Sequence, residues 1–247
     1  MMNIGLFGDS FTTSTVEARH FAWYNLLAEK LNGNIYNFED RCYLNSYGLG
    51  ASSTWYSYKK FLQYYDKHDL IIFVASDALK YPSLVDIYED DNPVPVAGLN
   101  NMEYYLRNPD VPPGGKEKLK NLMNWYTTND VEFMTTVQEL ILQDIERKAN
   151  KVVILAAELD TAFTSARKEK CCSEFGMWDL ARKMHAEVNV NNPNSQIEKV
   201  DKIAAHYTEE TNNLFADLLY KHIMTGERMK LPEKIGHRHN WEYYFGN

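Results

Sequence analysis

The stretch Asn3-Ile4-Gly5-Leu6-Phe7-Gly8-Asp9-Ser10 decides the fold of this 247-residue chain. Its first part, Asn3–Phe7, is a short and almost continuous apolar run, which is typical of a parallel strand buried on both faces. Gly8 permits a sharp turn directly after that strand. Because reactive groups in open α/β sheets gather beyond the carboxyl ends of strands, Ser10 lies where a nucleophile is wanted. The plainer alternative is that Ser10 caps a following helix.

Similar apolar runs recur along the chain and alternate with segments of helical period. The further strand-like runs are residues 35–38, Leu70–Ala75 and 152–157, with a weaker fifth at 186–190. The helical segments are residues 21–30, 55–65, 131–145 and 208–224. This alternation predicts an α/β protein with a doubly wound, mainly parallel sheet of the flavodoxin-like kind.

The spacing of these segments predicts one domain over residues 1–225. The connection at about 78–128 is too long for a simple crossover, so we interpret it as an insertion over the sheet, stiffened by a short helix at 116–126. Residues 226–247 follow the last helix and are interpreted as a C-terminal extension.

Composition excludes several classes of partner. The formal net charge is -8, and no stretch of Lys and Arg is dense enough to follow a phosphate backbone, so we expect no nucleic acid. The N-terminus lacks the basic start of a signal peptide, and no run approaches about 18 apolar residues, so we expect a cytoplasmic chain without membrane association. Cys42, Cys171 and Cys172 lack the spacing of a zinc or redox site, and we expect reduced thiols and no metal.

A serine nucleophile needs a base, and the base needs an orienting group. Among the seven histidines, His206 stands directly before the last predicted helix, where its ring can project into a cleft. Asp201, five residues earlier, can reach the other ring nitrogen if the chain turns. His237 and His239, near the end of the chain, are the alternative base.

Three blocks resemble the SGNH, or GDSL-type, serine hydrolases. Residues 4–10 are similar to the first block, and residues 45–53 to the second, in which Gly50 matches the oxyanion glycine and Gly48 is the fallback. Residues 201–206 are similar to the histidine block of phage and bacterial members. The resemblance implies a three-layer α/β/α fold and ester hydrolysis through Ser10, His206 and Asp201. It also implies an oxyanion site at the Ser10 and Gly50 amides, with no metal or organic cofactor.

The third block departs from the family pattern. Members normally carry Gly-x-Asn-Asp after the third strand, and the asparagine donates to the oxyanion, whereas residues 73–77 read Phe-Val-Ala-Ser-Asp. Ser76 can donate through its hydroxyl, but an ionised Asp77 would repel a developing oxyanion. The family aspartate also stands three residues before the histidine, where this chain has Ile203. The alternative function is therefore a catalytically impaired binding or structural protein, for example one associated with a phage virion.

Seventeen tyrosines exceed the average for this length. Some fit the apolar stripes of helices, but others fall on segments that we expect to overhang Ser10. An aromatic face with a hydroxyl suits stacking on sugar rings, so we expect an ester substrate that is a small molecule or glycan, with an acetylated carbohydrate favoured. A homo-oligomer or a virion partner stays open. The candidate substrate-binding residues are Tyr81, Tyr88, Tyr104 and Tyr105.

Overall fold

The computed structural model describes residues 2–13, 19–32, 43–50, 52–80, 84–85, 87–88, 94–95, 99–127, 131–188 and 203–239. Its strands are β1 (Asn3–Phe7), β2 (Tyr43–Ser46), β3 (Leu70–Ala75), β4 (Leu84–Val85), β5 (Val94–Pro95), β6 (Val152–Ala156), β7 (Ile203–Ala204) and β8 (Tyr207–Thr208). Its helices are α1 (Trp23–Asn32), α2 (Thr54–Tyr64), α3 (Leu99–Arg107), α4 (Pro113–Thr127), α5 (Val131–Lys148), α6 (Leu159–Ala162), α7 (Ser165–Lys170), α8 (Met177–Val188) and α9 (Glu209–Thr225). Single 3-10 turns cover Ser10–Thr12, Arg19–Phe21 and Tyr65–Lys67.

A parallel sheet in the order β2-β1-β3-β6 forms the centre of the protein. In its register, Leu6 of β1 pairs with Ser46 of β2 on one side and Ile72 of β3 on the other. All six residues of β3 are buried, because helices cover both faces of the sheet. Burial on both faces explains why these strands are continuous apolar runs rather than alternating ones.

The two faces of the sheet bury separate apolar clusters. Ile4 and Leu6 pack on one face with residues of α1, α8 and α9, including Trp23, Leu180 and Phe215. The opposite face carries Phe7, Ile71 and Phe73, which pack with residues of α2 and α5, including Phe61, Leu142 and Ile145. The alternation of β1 side chains between the two clusters follows from the two-residue period of a strand. The predicted three-layer α/β/α fold is confirmed.

Most sequence predictions of regular structure are confirmed, with the observed ends differing from the predicted ones by at most three residues. The predicted strand at 186–190 is wrong for residues 186–188, which belong to α8. Alternating apolar residues there resemble a strand locally, but Leu180, Met184 and Val188 recur at helical spacing and are buried together. The predicted strand at 35–38 and residues 189–190 lie outside the described part.

The predicted insertion contains α3 and α4, which pack on each other around a small core of their own: Ile87, Met102, Val111 and Leu119. In the region after α9, Met229 is buried in the main core and forms a parallel bridge with Ser173. Farther along, the Ile235 amide donates to the Glu187 carboxylate at 2.8 Å. Residues 226–239 therefore pack on the main body. No helix of the described ranges has both the length and the apolar character needed to cross a membrane.

Candidate active site

Ser10 opens a single helical turn at the carboxyl end of β1. Asp9 caps that turn, since its carboxylate accepts from the Phe11 amide at 3.2 Å and its carbonyl accepts from the Thr12 amide at 2.9 Å. The other two residues of the turn, Phe11 and Thr12, are buried, whereas Ser10 is half-buried. Asp9, rather than Ser10, thus performs the capping function, and the Ser10 hydroxyl is left to face another partner.

His206 lies in the two-residue turn that joins β7 to β8. Both turn residues have left-handed backbones, with φ of 51° at Ala205 and 70° at His206. A positive φ at both central positions matches the twist of a tight hairpin, although non-glycine residues there cost on the order of 1 kcal/mol each. The hairpin is held in place by Tyr207, whose hydroxyl donates to the Met177 carbonyl at 2.7 Å, and by Thr208, the N-cap of α9. The His206 ring is therefore carried by a strained turn whose position is fixed by the hydrogen bonds of Tyr207 and Thr208.

The two candidate catalytic side chains meet. His206 Nε2 lies 2.6 Å from Ser10 Oγ, within hydrogen-bond distance. The imidazole packs against two aromatic rings, with centroids 4.7 Å from Phe11 and 4.8 Å from Trp178, and these two rings also contact each other at 5.0 Å. These contacts fix the plane of the ring and limit its access to water.

Burial lowers the pKa of His206 to about 4. The negative charge of Asp9 opposes this shift, whereas the charges of Lys80 and His185 add to it. The imidazole is consequently neutral at pH 7, and a neutral ring is the form that can accept a proton from a serine hydroxyl. The predicted orienting residue, Asp201, lies outside the described residues.

The Asp9 carboxylate, next to the nucleophile, is fully buried. Its Oδ2 accepts from Lys80 Nζ at 2.7 Å and from the Ser76 hydroxyl at 2.8 Å, while Oδ1 accepts from the Phe11 amide. Burial favours a raised pKa, but the Lys80 ammonium and these hydrogen bonds outweigh it and hold the pKa of Asp9 below its usual value. The residue directly before Ser10 is thus part of an ion pair with Lys80.

The predicted oxyanion residues at the end of β3 have other partners. The Ser76 side chain is fully buried, and besides donating to Asp9 its hydroxyl lies 3.1 Å from the Ser52 carbonyl. Asp77 Oδ1 accepts from the Leu79 amide at 2.8 Å, and burial raises the pKa of this carboxyl. The structure therefore directs the Ser76 hydroxyl toward Asp9, and Asp77 closes a local turn.

The second block runs beside the end of β1, because the Leu49 amide donates to the Gly8 carbonyl at 3.2 Å. Gly48 is packed tightly there: a Cβ at this position would lie 2.0 Å from Thr12 Oγ1. Gly50 differs, since a Cβ added to it would meet no atom within 4 Å. Gly50 thus borders open space at the same edge of the sheet as Ser10.

The alternative base, His237, is bound elsewhere. Its Nε2 lies 2.8 Å from Thr208 Oγ1 and 3.1 Å from Thr211 Oγ1, and its Nδ1 lies 3.5 Å from Glu187 Oε2. The ring is buried against the start of α9, and this burial lowers its pKa. These contacts join the C-terminal region to α9 and α8. His239 is described but exposed.

The candidate substrate-binding tyrosines fall into different settings. Tyr88 and Tyr105 are half-buried and pack against the small core of the insertion. Tyr104 is 65% exposed, and its ring centroid lies 5.3 Å from that of Tyr105. Tyr81 lies outside the described residues. Tyr104 is therefore the described member of this set whose ring is open to a ligand.

Sequence reasoning missed two residues at the site. Lys80 carried a usable signal, because it follows β3 at the same sheet edge as Ser10 and parallel strands bring their carboxyl ends together. Trp178 carried none, since its contact with His206 arises from the docking of α8.

Across the described residues, no group of three or more His, Cys, Asp or Glu side chains is arranged to hold a metal ion.

Comparisons with known proteins add little. No protein-family model matches the chain, and no curated protein matches it. Similar solved structures include the psychrotrophic esterase EstA from Pseudoalteromonas sp., at 11% identity over 92% of this chain and 98% of that one, with a TM-score of 0.43. The acetyl xylan esterase AlAXEase is 14% identical over 90% and 100% of the two chains, with a TM-score of 0.44. The lipase/acylhydrolase from Enterococcus faecalis is 14% identical over 94% and 100%, with a TM-score of 0.37. Because these TM-scores are below 0.5, the similarities carry no weight for activity or substrate.

Proposed function

We propose that this chain is a serine ester hydrolase of the SGNH superfamily. The observation that carries the proposal is the 2.6 Å contact between His206 Nε2 and Ser10 Oγ, at the carboxyl end of a parallel strand. A serine hydroxyl that hydrogen-bonds a neutral imidazole is the arrangement needed for nucleophilic acyl transfer. Burial keeps the His206 ring neutral, and the contacts with Phe11 and Trp178 hold it in place.

The chemistry follows from that contact. Ser10 Oγ attacks the ester carbonyl carbon while its proton passes to His206 Nε2, which gives a tetrahedral oxyanion. The carbon–oxygen bond to the leaving alcohol then breaks, and the protonated ring gives its proton to the departing oxygen. A water molecule attacks the acyl group on Ser10, with His206 again taking the proton. When the second tetrahedral intermediate collapses, the bond between the acyl carbon and Ser10 Oγ breaks, His206 returns its proton to Oγ, and the acid is released.

Two further roles belong to the proposal. Asp201 would orient the His206 ring through its other nitrogen, as the histidine-block resemblance implies. The backbone N–H groups of Ser10 and Gly50 would bind the oxyanion, and the open space at Gly50 is compatible with a substrate there. Since the Ser76 hydroxyl is directed to Asp9, two donors rather than three serve the oxyanion. Loss of one such donor typically costs about a hundred- to a thousandfold in rate, so a modest turnover is expected.

We propose an acetylated carbohydrate as the substrate class. The support is Tyr104, whose exposed ring on α3 can stack on a sugar. Tyr104→Ala is expected to raise KM for an acetylated oligosaccharide without changing turnover of p-nitrophenyl acetate. Phe133→Ala on α5 removes another exposed aromatic, 61% accessible, and serves as the control. An unchanged KM for the oligosaccharide in Tyr104→Ala would remove the carbohydrate assignment and leave the esterase assignment intact.

The esterase assignment is tested by covalent labelling. A fluorophosphonate probe should label the native chain at Ser10, and native protein should hydrolyse p-nitrophenyl acetate. Ser10→Ala should abolish both, whereas Ser165→Ala, at an exposed serine that begins α7, should change neither. Native protein that is folded but neither labels nor hydrolyses would overturn the proposal. That result would favour the alternative of a binding or structural protein on the same scaffold, a virion component included.

A further inference from the structure

The Asp9 carboxylate poses an electrostatic problem for the reaction proposed above. It is buried, it belongs to the residue before Ser10, and its pKa lies below the usual value, so it is charged at pH 7. The reaction creates a second negative charge on the oxyanion, close to the Ser10 amide. In a site of low effective dielectric, two unpaired negative charges repel strongly. Some group must compensate for Asp9.

Lys80 is placed to do so. Its Nζ lies 2.7 Å from Asp9 Oδ2, and its side chain is 24% exposed against 1% for Asp9. The Ser76 hydroxyl reaches the same carboxylate oxygen at 2.8 Å. Ser76 and Lys80 both follow β3, in the segment where the family pattern has its asparagine. In this chain that segment therefore supplies two donors to Asp9, and one of them is a cation.

We propose that Lys80 is a positioning residue for ester hydrolysis, which neutralises Asp9 and thereby holds the Ser10 turn ready for an oxyanion. This inference rests on the proposed function, but it concerns a charge pair that nothing in the three resembling blocks predicts. Lys80 acts through Asp9, since its hydrogen bond ends on the carboxylate rather than on Ser10 or His206. Asp9 in turn fixes the Ser10 turn through its bond to the Phe11 amide.

The charged groups near His206 shift the pKa of its ring, and this shift gives the proposed role of Lys80 a second measurable effect. Asp9, from the turn after β1, raises the pKa of His206, while Lys80, after β3, and His185, on α8, lower it. Phe11 and Trp178, which contact the ring, carry no charge. Removing the Lys80 charge should consequently raise the pKa of His206, and removing the Asp9 charge should lower it further.

The test compares Lys80→Met, Lys80→Arg, Asp9→Asn and the double variant Asp9→Asn/Lys80→Met in the full chain, with the exposed Lys120→Met as control. We expect Lys80→Met to reduce kcat by about tenfold to a hundredfold with little change in KM. Lys80→Arg should retain most of the activity, because it keeps the charge. The double variant should be more active than Lys80→Met alone, since it removes the uncompensated carboxylate along with the lysine.

Histidine titration by NMR provides the readout that does not need turnover. The His206 signal should titrate at higher pH in Lys80→Met than in the native chain, and at lower pH in Asp9→Asn. If native protein proves inactive, the proposed function fails, while this titration still tests the charge pair. An unchanged His206 titration in folded Lys80→Met would overturn the inference. So would a double variant no better than Lys80→Met, because Lys80 would then act on the substrate directly rather than through Asp9.

Discussion

His206 Nε2 and Ser10 Oγ lie 2.6 Å apart although 196 positions separate the two residues in the chain. One side chain leaves the end of β1 and the other leaves the turn of the β7–β8 hairpin, so the contact depends on how α9 docks against the sheet. Trp23 fixes that docking, because its amide donates to Asn212 on α9 at 2.8 Å and its ring meets Phe215 at 5.1 Å. The nucleophile and its base are therefore joined through the main core, and damage to that core should reach the site.

The two candidate histidines should behave differently when replaced. His206→Gln removes the proton acceptor of Ser10 and should lower kcat by about a hundred- to ten thousandfold. His237→Gln should leave kcat within about threefold and lower the free energy of unfolding by roughly 1–3 kcal/mol, because it disturbs buried contacts to Thr208 and Thr211. Esterase assays and chemical denaturation measure the two effects. Loss of activity confined to His237→Gln would reverse the assignment of the base.

The acid limb of the pH profile should report the buried imidazole. With the pKa of His206 lowered to about 4, kcat/KM should stay level as the pH falls from 7 to about 5 and then decline through about 4. A histidine with the ordinary value of 6.5 would instead lose activity below neutral pH. Trp178→Ala, which opens one wall of the ring to water, should move the decline to higher pH. A decline already centred near 6.5 in the native chain would contradict the burial argument.

The lowered pKa of His206 also predicts how the free energy of unfolding changes with pH. The unfolded chain binds a proton at His206 below about pH 6.5, whereas the folded chain resists protonation until about pH 4. Between these values the unfolded state holds more protons, so the free energy of unfolding falls as the pH drops through that window. Denaturation at pH 7 and pH 4.5 should show a smaller loss in His206→Gln than in the native chain. An equal loss would show that other groups govern acid stability.

Some structural features can be predicted from the sequence because a local pattern of residues determines them. β1 and β3 were predicted with their bounds, because buried parallel strands are unmistakable when their apolar runs end at a turn. Ser10 and His206 were predicted as partners because each stands directly after or before such an element. The strand prediction at 186–190 was wrong over residues 186–188, because a short alternating pattern competed with the longer helical stripe of α8.

The remaining features depend on tertiary contacts that no local pattern contains. Ser76 was expected to donate to an oxyanion, but a neighbouring buried carboxylate is a stronger acceptor, and the position of Asp9 is known only once β1 and β3 are paired. The left-handed backbone of Ala205 and His206 likewise follows from the tight β7–β8 hairpin, since neither residue is a glycine.

The hairpin turn that carries His206 should tolerate glycine but not a β-branched residue. Ala205 has a φ of 51° and is buried, so Ala205→Val adds branching where the left-handed region already crowds Cβ. We expect a loss of roughly 1–3 kcal/mol in the free energy of unfolding and a lower kcat, because the His206 ring shifts away from Ser10. Ala205→Gly should keep both within about 1 kcal/mol and threefold, since relief of strain offsets the lost methyl. Equal behaviour of the two variants would argue against a strained turn.

The two glycines of the second block give the sharpest contrast between structure and sequence. A Cβ on Gly48 would lie 2.0 Å from Thr12 Oγ1 and 3.1 Å from the Thr12 carbonyl, so either the second block or the turn holding Ser10 must move. Gly48→Ala should therefore lower the free energy of unfolding by roughly 1–3 kcal/mol and reduce the rate at which a fluorophosphonate labels Ser10. Gly50→Ala meets nothing within 4 Å, so it should keep the free energy of unfolding of the native chain. Denaturation and labelling kinetics of both variants make the comparison. A slow-labelling but stable Gly50→Ala, beside an unaffected Gly48→Ala, would mean that the open space at Gly50 is where the substrate must fit most closely and that the turn at Thr12 can adjust.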